Sequence, residues 1–562
     1  MQSVFLEITV IICLAAILSV FFRLLKQPII LAYILTGIII GHSGLLPLND
    51  NSFMQSLSDI GIAFLLFLMG LEIKIKELSL IGKTVILAGI GQVVVTFILG
   101  FSILMLLGFN LLTAFYVTIA LVFSSTVIGV KLLSDKKDLN SLYGKIAVGI
   151  LLMQDLLGII VLIFLSSAGR GMEMSPVMQL LEIAIKSIII FGSIGYLSFH
   201  VFPKIIEKLS VSSEVLFLVS IAWLFGFTAI VSSPLIGFPI SIGGFLAGFA
   251  LTNTMANYQI IAKARTLRDF FIILFFVVLG INMSFANIGS IIFLAVILSG
   301  FVLVVKPLII MSCLGSLGFR KRTSFMSGAT LAQISEFSLI IIFLASKAYN
   351  FPDQIVSLIT LVGIITFAVS SYLIANNNVI YLKLARYLSL FEKKNAHEEK
   401  VVNSADGFEN LKDHIVIIGG DQMGQSILDS LDAKENVVVV DFDPSIVNRL
   451  ENRRNIHRLF GDIGDLDIQE KAKLKTADLV ISTIPDLEDN ALLLRALNHE
   501  NRRAKVIVMA FDKMEARELY KEGADYVVLP HLAGGRELAK ILDRDLSDIS
   551  DLRIKDRQYL RK

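Results

Sequence analysis

Apolar runs long enough to cross a lipid bilayer follow one another through the first 390 residues of this chain. A helix needs about 20 predominantly apolar residues to span a hydrocarbon core of about 30 Å. Hydrophobic residues make up 55% of the sequence and the mean hydropathy is +0.76, values typical of membrane proteins. The pattern predicts a polytopic α-helical membrane protein with thirteen spans, at residues 4–22, 28–46, 58–73, 83–108, 111–133, 143–168, 178–200, 214–232, 237–254, 268–285, 288–312, 323–347 and 353–377.

The distribution of Lys and Arg among the loops predicts the orientation, because cytoplasmic loops are enriched in both residues. Clusters of basic residues occupy alternate loops, whereas the intervening loops hold only Arg170 and Lys347. We therefore predict a multi-pass protein of the cell (inner) membrane with its N-terminus outside and its C-terminus in the cytoplasm. The net charge of +2 does not indicate a nucleic-acid partner. The two cysteines and seven histidines show no metal-ligand spacing, so we predict no resident metal.

Charged residues lie deep inside several predicted spans. Asp155 occupies the middle of the apolar run 147–164, where a carboxylate costs roughly 2.5 to 3.5 kcal/mol. Such residues usually face a water-filled path or a partner, so Asp155 is either a transport residue or a structural ion-pair member. Lys306, followed by Pro307, lies inside the eleventh span and either pairs with Asp155 or extends its ammonium group to the membrane surface. The depth of Lys306 in its run favours the pair.

Polar residues interrupt the fifth and twelfth predicted spans. Ser124, Ser125 and Thr126 are consecutive in the fifth, and Ser335 and Glu336 lie in the twelfth. Transporters built from inverted repeats carry broken helices in corresponding positions of their two halves, where freed backbone groups face the ion site. Ser and Thr in membranes also bond back to their own helix, which is the alternative for the fifth span. The acid in the twelfth span favours two broken helices within inverted repeats.

Short motifs along the chain occur in the order and spacing of one transporter family. They are Lys26 to Pro28 with Gly37 and Gly41, Phe67 to Glu72, Ser124 to Thr126, Gln154 with Asp155, Gly243 to Gly248, Phe275 to Gly280 and Gln333 to Phe337. With these motifs the chain resembles the Kef-type potassium:proton antiporters, within the cation:proton antiporter families of thirteen-span topology. The resemblance implies that Gln154 and Asp155 form the ion-binding pair, that Lys306 is the basic residue opposite the acid, and that the protein is a homodimer.

Asp155, with the uncharged Gln154 beside it, suggests how such a site works. Desolvation favours the neutral carboxyl group, so near neutral pH Asp155 either carries a proton or is ionised with a cation bound. Because Gln154 cannot titrate, we predict electroneutral exchange of one proton for one K⁺ or Na⁺. A ligand-gated potassium efflux channel is the alternative, although no Thr-Val-Gly-Tyr-Gly filter segment occurs in the sequence. An enzyme is not predicted, because the soluble part has one sheet and no substrate domain.

The chain changes character after the last apolar run. We predict a membrane domain at 1–390, a charged linker at 391–412, a Rossmann-like domain at 413–540 and a C-terminal tail at 541–562. Buried-strand patterns at 414–418 and 437–441 alternate with helical segments, which is typical of a parallel sheet covered by helices. This part resembles the nucleotide-binding domain of the RCK family, which regulates potassium conductance.

The first turn of the Rossmann-like domain contains part of a nucleotide-binding fingerprint. Gly419 and Gly424 flank the turn, and Asp441 ends the second strand, where an acid hydrogen-bonds ribose hydroxyls. Asp421 replaces the second glycine of the fingerprint, which adds bulk and negative charge where phosphates would lie. The resemblance implies that Asp462 faces the adenine side. We predict regulation by NAD(H), AMP or ATP, with a structural or dimerising domain as the alternative.

Overall fold

The structure is a computed structural model of the chain, which forms two compact units that meet in sequence at Phe391 and Glu392. It describes residues 2–391 and 411–542, apart from 44–50, 73–82, 137, 169–184, 187–188, 191, 210–211, 234–235, 237, 239, 255, 284–287, 389–390, 432–435, 442–443, 451–454, 462, 465, 485 and 499–502. Most of the predicted linker therefore lies outside the described residues, as does most of the predicted tail.

The regular secondary structure of the first unit is entirely helical within its described residues. Its α-helices are α1 (Gln2–Leu24), α2 (Ile29–Ser43), α3 (Asn51–Glu72), α4 (Lys83–Leu106), α5 (Leu111–Val122), α6 (Thr126–Asp135), α7 (Leu142–Ala168), α8 (Phe202–Leu209), α9 (Ser213–Val231), α10 (Ile240–Leu251), α11 (Asn257–Ile281), α12 (Ile288–Gly300), α13 (Lys306–Ser316), α14 (Lys321–Thr330), α15 (Glu336–Tyr349), α16 (Asp353–Ala375) and α17 (Asn377–Leu388).

Helical residues occur in each of the thirteen predicted spans. By length and composition, seven helical segments in the described part of the chain are apolar enough to cross a membrane, and three shorter apolar helices accompany them. The count of thirteen crossings and the inverted repeats therefore stay predictions. The two predicted helix breaks are confirmed, because three non-helical residues separate α5 from α6 and five separate α14 from α15.

Glycines of the family motifs bring two helix pairs into backbone contact. A Cβ atom on Gly37 of α2 or on Gly280 of α11 would overlap a backbone oxygen of the opposite helix. The same holds for Gly70 of α3 and Gly248 of α10. Small residues allow membrane helices to approach closely. Close van der Waals packing then stabilises the pair, because the hydrophobic effect does not drive helix association within lipid. These motif positions are therefore explained by helix packing.

A π-helical turn at Phe301–Val305 joins α12 to α13 and sets the position of Lys306. Pro307 has no N–H to donate, and its ring clashes with the carbonyl group four residues earlier in a regular α-helix. The widened turn relieves that clash and leaves Lys306 fully buried at the first position of α13. The predicted depth of this lysine is thus confirmed.

The second unit is a six-stranded parallel sheet in the order β3-β2-β1-β4-β5-β6. Its strands are β1 (His414–Ile418), β2 (Val437–Asp441), β3 (Ile456–Phe460), β4 (Ala477–Ser482), β5 (Lys505–Met509) and β6 (Tyr526–Val528). The helices between and after them are Gln422–Ser430, Pro444–Arg449, Leu466–Lys471, Leu487–Asn498, Lys513–Lys521 and Pro530–Leu542. This is the Rossmann strand order, and it confirms the predicted class of this domain.

Both faces of the sheet are buried, as a parallel sheet with helices on each side requires. Val416 and Ile418 of β1 belong to one hydrophobic cluster, whereas Ile415 and Ile417 belong to a second. The parallel register places the carboxyl ends of β1 and β2 side by side, since Ile418 pairs with Val440. The predicted nucleotide-binding residues follow these two strand ends.

Candidate functional site

The first helix break comprises residues 123–125, between α5 and α6. Phe123 and Ser125 both have extended backbones, and the Ser125 hydroxyl accepts a hydrogen bond from the Ile128 N–H at 3.1 Å. Ser125 is therefore the N-cap of α6 and satisfies one of the donors that a helix start leaves free. The run of hydroxyl residues detected in the sequence thus marks the start of a new half-helix.

The second helix break comprises residues 331–335, between α14 and α15. Ser335 caps α15 by accepting from the Phe337 N–H at 3.1 Å, and its own N–H donates to the Ser338 hydroxyl at 3.1 Å. This reciprocal arrangement is a capping box. Glu336 is consequently the first residue of α15, where the helix dipole favours negative charge.

The two breaks contact each other directly. The Ser124 hydroxyl donates to the Leu331 carbonyl oxygen at 3.0 Å, and the Ser125 hydroxyl donates to Glu336 Oε1 at 2.8 Å. Gln333 lies at the same place, with its Nε2 at 3.5 Å from the Ser125 carbonyl oxygen. The crossing joins the first turns of two half-helices through the Ser125 and Glu336 side chains, as in transporters with discontinuous helices.

Lys306 occupies the other side of this crossing. Its Nζ donates to the carbonyl oxygens of Leu121 at 3.3 Å, Phe123 at 2.9 Å and Gln333 at 3.1 Å. These oxygens belong to the end of α5 and to the two breaks, next to helix C-terminal ends, which carry partial negative charge. The predicted ion pair with Asp155 is therefore wrong for this structure, because the ammonium group uses backbone carbonyl oxygens as its acceptors.

Asp155 lies on α7 beside the first break. Its Oδ2 accepts a hydrogen bond from the Thr126 hydroxyl at 2.8 Å. Thr126 is the first residue of α6, so the carboxylate lies near the positive end of a helix dipole. The side chain of Asp155 is partly exposed, whereas Lys306 and Glu336 are buried. Among these three charged groups, Asp155 is therefore the least buried.

Gln154 is buried and bonded to protein groups at both ends of its amide. Its Oε1 accepts from the Ser124 N–H at 2.9 Å, and its Nε2 donates to Gln92 Oε1 at 2.6 Å. Gln92, on α4, was not singled out from the sequence. The available signal was an amide side chain in the interior of an apolar span, of the same kind that indicated the two breaks.

Gln333 belongs to one of the family motifs found in the sequence but is not among the site residues predicted from it. Its side chain is fully buried, and within the described residues its Oε1 has no hydrogen-bond partner. The Nε2 atom donates to the Thr330 carbonyl oxygen at 3.1 Å, which fixes the orientation of the amide. Within the described residues, the crossing therefore contains a buried amide oxygen that accepts no hydrogen bond.

The turn after β1 fits one half of a nucleotide site. Gly419 has a φ of 92°, and a Cβ atom on Gly424 would overlap the Gly419 carbonyl oxygen, so both positions require glycine. Asp441 is buried at the end of β2, where its Oδ2 accepts from the Gly420 N–H at 2.7 Å. This geometry suits a carboxylate that binds ribose hydroxyls.

The phosphate half of the turn fits less well. Asp421 is the exposed N-cap of the helix Gln422–Ser430, and its side chain makes no capping hydrogen bond. A carboxylate at a helix N-terminus competes with the phosphate groups that usually bind there. Asp462, predicted on the adenine side, lies outside the described residues. The turn therefore combines a suitable ribose-binding acid with an unfavourable charge at the phosphate position.

Two family descriptions match this chain. One, described as sodium/hydrogen exchanger, transmembrane, matches residues 9–375, and the other, described as TrkA-N domain, matches residues 415–530. The chain is 26% identical over 547 residues to the putative cation/proton antiporter YbaL of Escherichia coli (strain K12), covering 94% of both proteins. It is 28% identical over 351 residues to K(+) efflux antiporter 5 of Arabidopsis thaliana, covering 61% of each.

Among solved structures, the sodium proton antiporter MjNhaP1 from Methanocaldococcus jannaschii matches 68% of this chain and 97% of its own. Its sequence identity to this chain is 15% and the TM-score is 0.45.

Proposed function

Since the chain belongs to the sodium/hydrogen exchanger family over residues 9–375, we propose that it is a secondary antiporter that exchanges K⁺ or Na⁺ for H⁺. The observation that carries this proposal is the position of Asp155. Its partly exposed carboxylate lies against the start of a half-helix, next to the crossing of two broken helices. An ionisable group in such a position inside a membrane domain is typical of an ion pathway.

Exchange follows from competition for this one carboxylate. A bound proton neutralises Asp155 and removes its attraction for a cation, whereas a bound cation favours the ionised form. The Thr126 hydroxyl holds one carboxylate oxygen through its hydrogen bond and so orients the group. Loading one ion on one side of the membrane and the other ion on the opposite side then couples the two fluxes.

The charges of the other two ionisable groups at the crossing do not change in the proposed cycle. Lys306 is held by three carbonyl oxygens, and Glu336 accepts from Ser125. We propose that both keep one protonation state throughout the cycle, so that Asp155 alone exchanges its ligand. The stoichiometry is then one proton for one monovalent cation, with no net charge moved.

Reconstituted protein tests this proposal directly. Addition of K⁺ or Na⁺ to one side of proteoliposomes should release protons, and a membrane potential imposed by a permeant-anion gradient should leave the rate unchanged. Internal pH is followed with a fluorescent dye, and empty liposomes provide the baseline. A steep dependence of the rate on voltage would contradict one-for-one exchange, and the absence of cation-dependent proton release would contradict antiport.

A ligand-gated channel is the less favoured function. The sequence lacks the filter segment that a potassium channel needs, and the family described for residues 9–375 is one of exchangers. An electrical recording in planar bilayers distinguishes the two, because an electroneutral exchanger carries no current.

We propose the arrangement in the cell from the loop charges and the family resemblance. The N-terminus lies outside, the Rossmann-type domain lies in the cytoplasm, and the protein is a homodimer in the cell membrane. Cysteine-accessibility labelling of each loop in intact cells checks the orientation. Labelling of the Rossmann-type domain from outside would contradict it.

For the Rossmann-type domain we propose regulation by an adenine nucleotide, such as NAD(H), AMP or ATP, held through its ribose by Asp441. The buried carboxylate at the end of β2 supports this proposal, and the charge of Asp421 predicts weak binding of the phosphates. We expect Asp421→Asn to tighten binding of NAD, AMP and ATP about tenfold, because it removes a negative charge and keeps the size of the side chain. Adenosine, which has no phosphate, should be unaffected.

Calorimetry on the full-length protein in detergent measures these affinities. Asp441→Asn should weaken all four ligands, including adenosine, since each contains the ribose. If no ligand gives heat with the original protein or with Asp421→Asn, the domain is structural.

A further inference from the structure

Gln92 is a fully buried amide in the middle of α4, a helix that contributes no charged group to the cation site. It contacts the first break through a chain of hydrogen bonds. The Ser124 N–H donates to Gln154 Oε1 at 2.9 Å, and Gln154 Nε2 donates to Gln92 Oε1 at 2.6 Å. Gln92 Nε2 then lies at 3.4 Å from the Val122 carbonyl oxygen and at 3.1 Å from the Thr96 hydroxyl.

The two ends of this hydrogen-bond network, the Val122 carbonyl oxygen and the Ser124 N–H, lie at the same break, two residues apart in sequence. In an unbroken helix, the Val122 oxygen would accept from the N–H of Thr126, and the Ser124 N–H would donate to Ala120. The break removes both bonds, and an unsatisfied backbone group inside a membrane costs several kcal/mol. The two glutamines replace the lost partners and so hold the broken conformation.

The backbone groups at the two ends of this hydrogen-bond network determine which side-chain atoms donate and which accept. The Ser124 N–H can only donate, so the oxygen of Gln154 must face it, and the amide nitrogen of Gln154 must face Gln92. The Val122 carbonyl oxygen can only accept, so the nitrogen of Gln92 must face Val122. Each position therefore needs one acceptor and one donor, which an uncharged amide provides and an ionised carboxylate does not.

We propose that Gln92 is a positioning residue for the cation site, and that it acts through Gln154. By fixing the first break it fixes Thr126, whose hydroxyl holds Asp155. The Gln92 Oε1 atom is an acceptor, so the side chain at position 154 must be an uncharged donor. Asp155 therefore has no second ionised acid next to it in the sequence. The proposal rests on the exchange activity proposed above for its transport readout, but its structural basis is independent of that activity.

A double-mutant cycle with Gln92→Met and Gln154→Met tests the proposal. Methionine keeps approximately the length of the side chain and removes the hydrogen bonds. In proteoliposomes we expect each single variant to raise the cation concentration for half-maximal exchange roughly tenfold, as loss of about one hydrogen bond predicts, with a smaller change in maximal rate. Because Gln92 acts through Gln154, the double variant should be no worse than Gln154→Met.

Ser102→Ala is the matched control on α4, since within the described part of the chain the exposed Ser102 hydroxyl bonds only to its own helix, at Ile98. It should leave both kinetic parameters unchanged. Multiplicative effects of the two methionine substitutions would show that Gln92 acts independently of Gln154 and would overturn the proposal. The proposal would also be overturned if both single variants lowered the maximal rate equally and left the cation concentration for half-maximal exchange unchanged. That result indicates a loss of folded protein.

The same cycle on the thermal unfolding midpoint of the full-length protein separates this proposal from the proposed function. If the original protein shows no cation-dependent proton release, the antiport function fails, and the unfolding cycle alone decides the role of Gln92. The double variant should then lose less stability than the sum of the two single losses. Strict additivity would mean that the two glutamines do not act as one unit.

Discussion

Asp155→Asn should abolish cation-dependent proton release from proteoliposomes and reduce it to the level of empty liposomes. Asparagine has the size of aspartate and still accepts the hydrogen bond from the Thr126 hydroxyl, which lies at 2.8 Å in the original protein. It can neither bind the transported proton nor supply the negative charge that attracts a cation. The loss should therefore affect transport and leave folding intact.

Asp353→Asn is the matched control for this substitution. Asp353 is exposed in the first turn of α16, so its loss should leave exchange unchanged. Size-exclusion chromatography and the unfolding midpoint establish that the Asp155→Asn protein inserts and folds. Exchange retained by a folded Asp155→Asn protein would remove Asp155 from the mechanism and leave Glu336 as the remaining buried acid at the crossing.

Lys306→Met should destabilise the membrane unit more than any other single substitution at the crossing. The change leaves the carbonyl oxygens of Leu121, Phe123 and Gln333 without the ammonium group that they share. An unsatisfied buried acceptor costs about 1 to 3 kcal/mol, so the total is roughly 3 kcal/mol or more. Since folded proteins are only marginally stable, we expect a much lower unfolding midpoint and little accumulation in the membrane.

Lys347→Met provides the comparison, because this lysine is exposed and its Nζ lies 3.6 Å from Asp59 Oδ1. Ion pairs of that kind contribute less than about 1 kcal/mol, so the unfolding midpoint should hardly change. Unfolding is followed by the fluorescence of a thiol-reactive dye in detergent. A Lys306→Met protein with the original midpoint would show that the three carbonyl oxygens find other donors.

Several features of this protein follow from local sequence pattern. The strand limits at 414–418 and 437–441 agree with β1 and β2, because a strand buried on both faces is a continuous apolar run that ends at a turn. The helix breaks were detectable because polar side chains are costly in a membrane span unless freed backbone groups or an ion site use them. Burial of Lys306 could be predicted for the same reason.

The hydrogen-bond partners of these residues could not be predicted from local sequence pattern. A sequence shows charged side chains, and it suggested that the buried base pairs with the buried acid. It does not show which carbonyl oxygens become free, since every residue has one. That depends on where α5 ends and on which helix crosses it. At this crossing the free carbonyl oxygens accept hydrogen bonds from Lys306.

Gln92 illustrates the same distinction over a longer separation, since it lies 62 residues from Gln154 in sequence. Composition and periodicity establish that the chain spans a membrane, that two helices are broken and that a Rossmann-type domain follows, because each depends on neighbouring residues. The hydrogen-bond partners at the crossing depend on contacts between residues distant in the chain. Such contacts exist only once helix packing has brought those residues together.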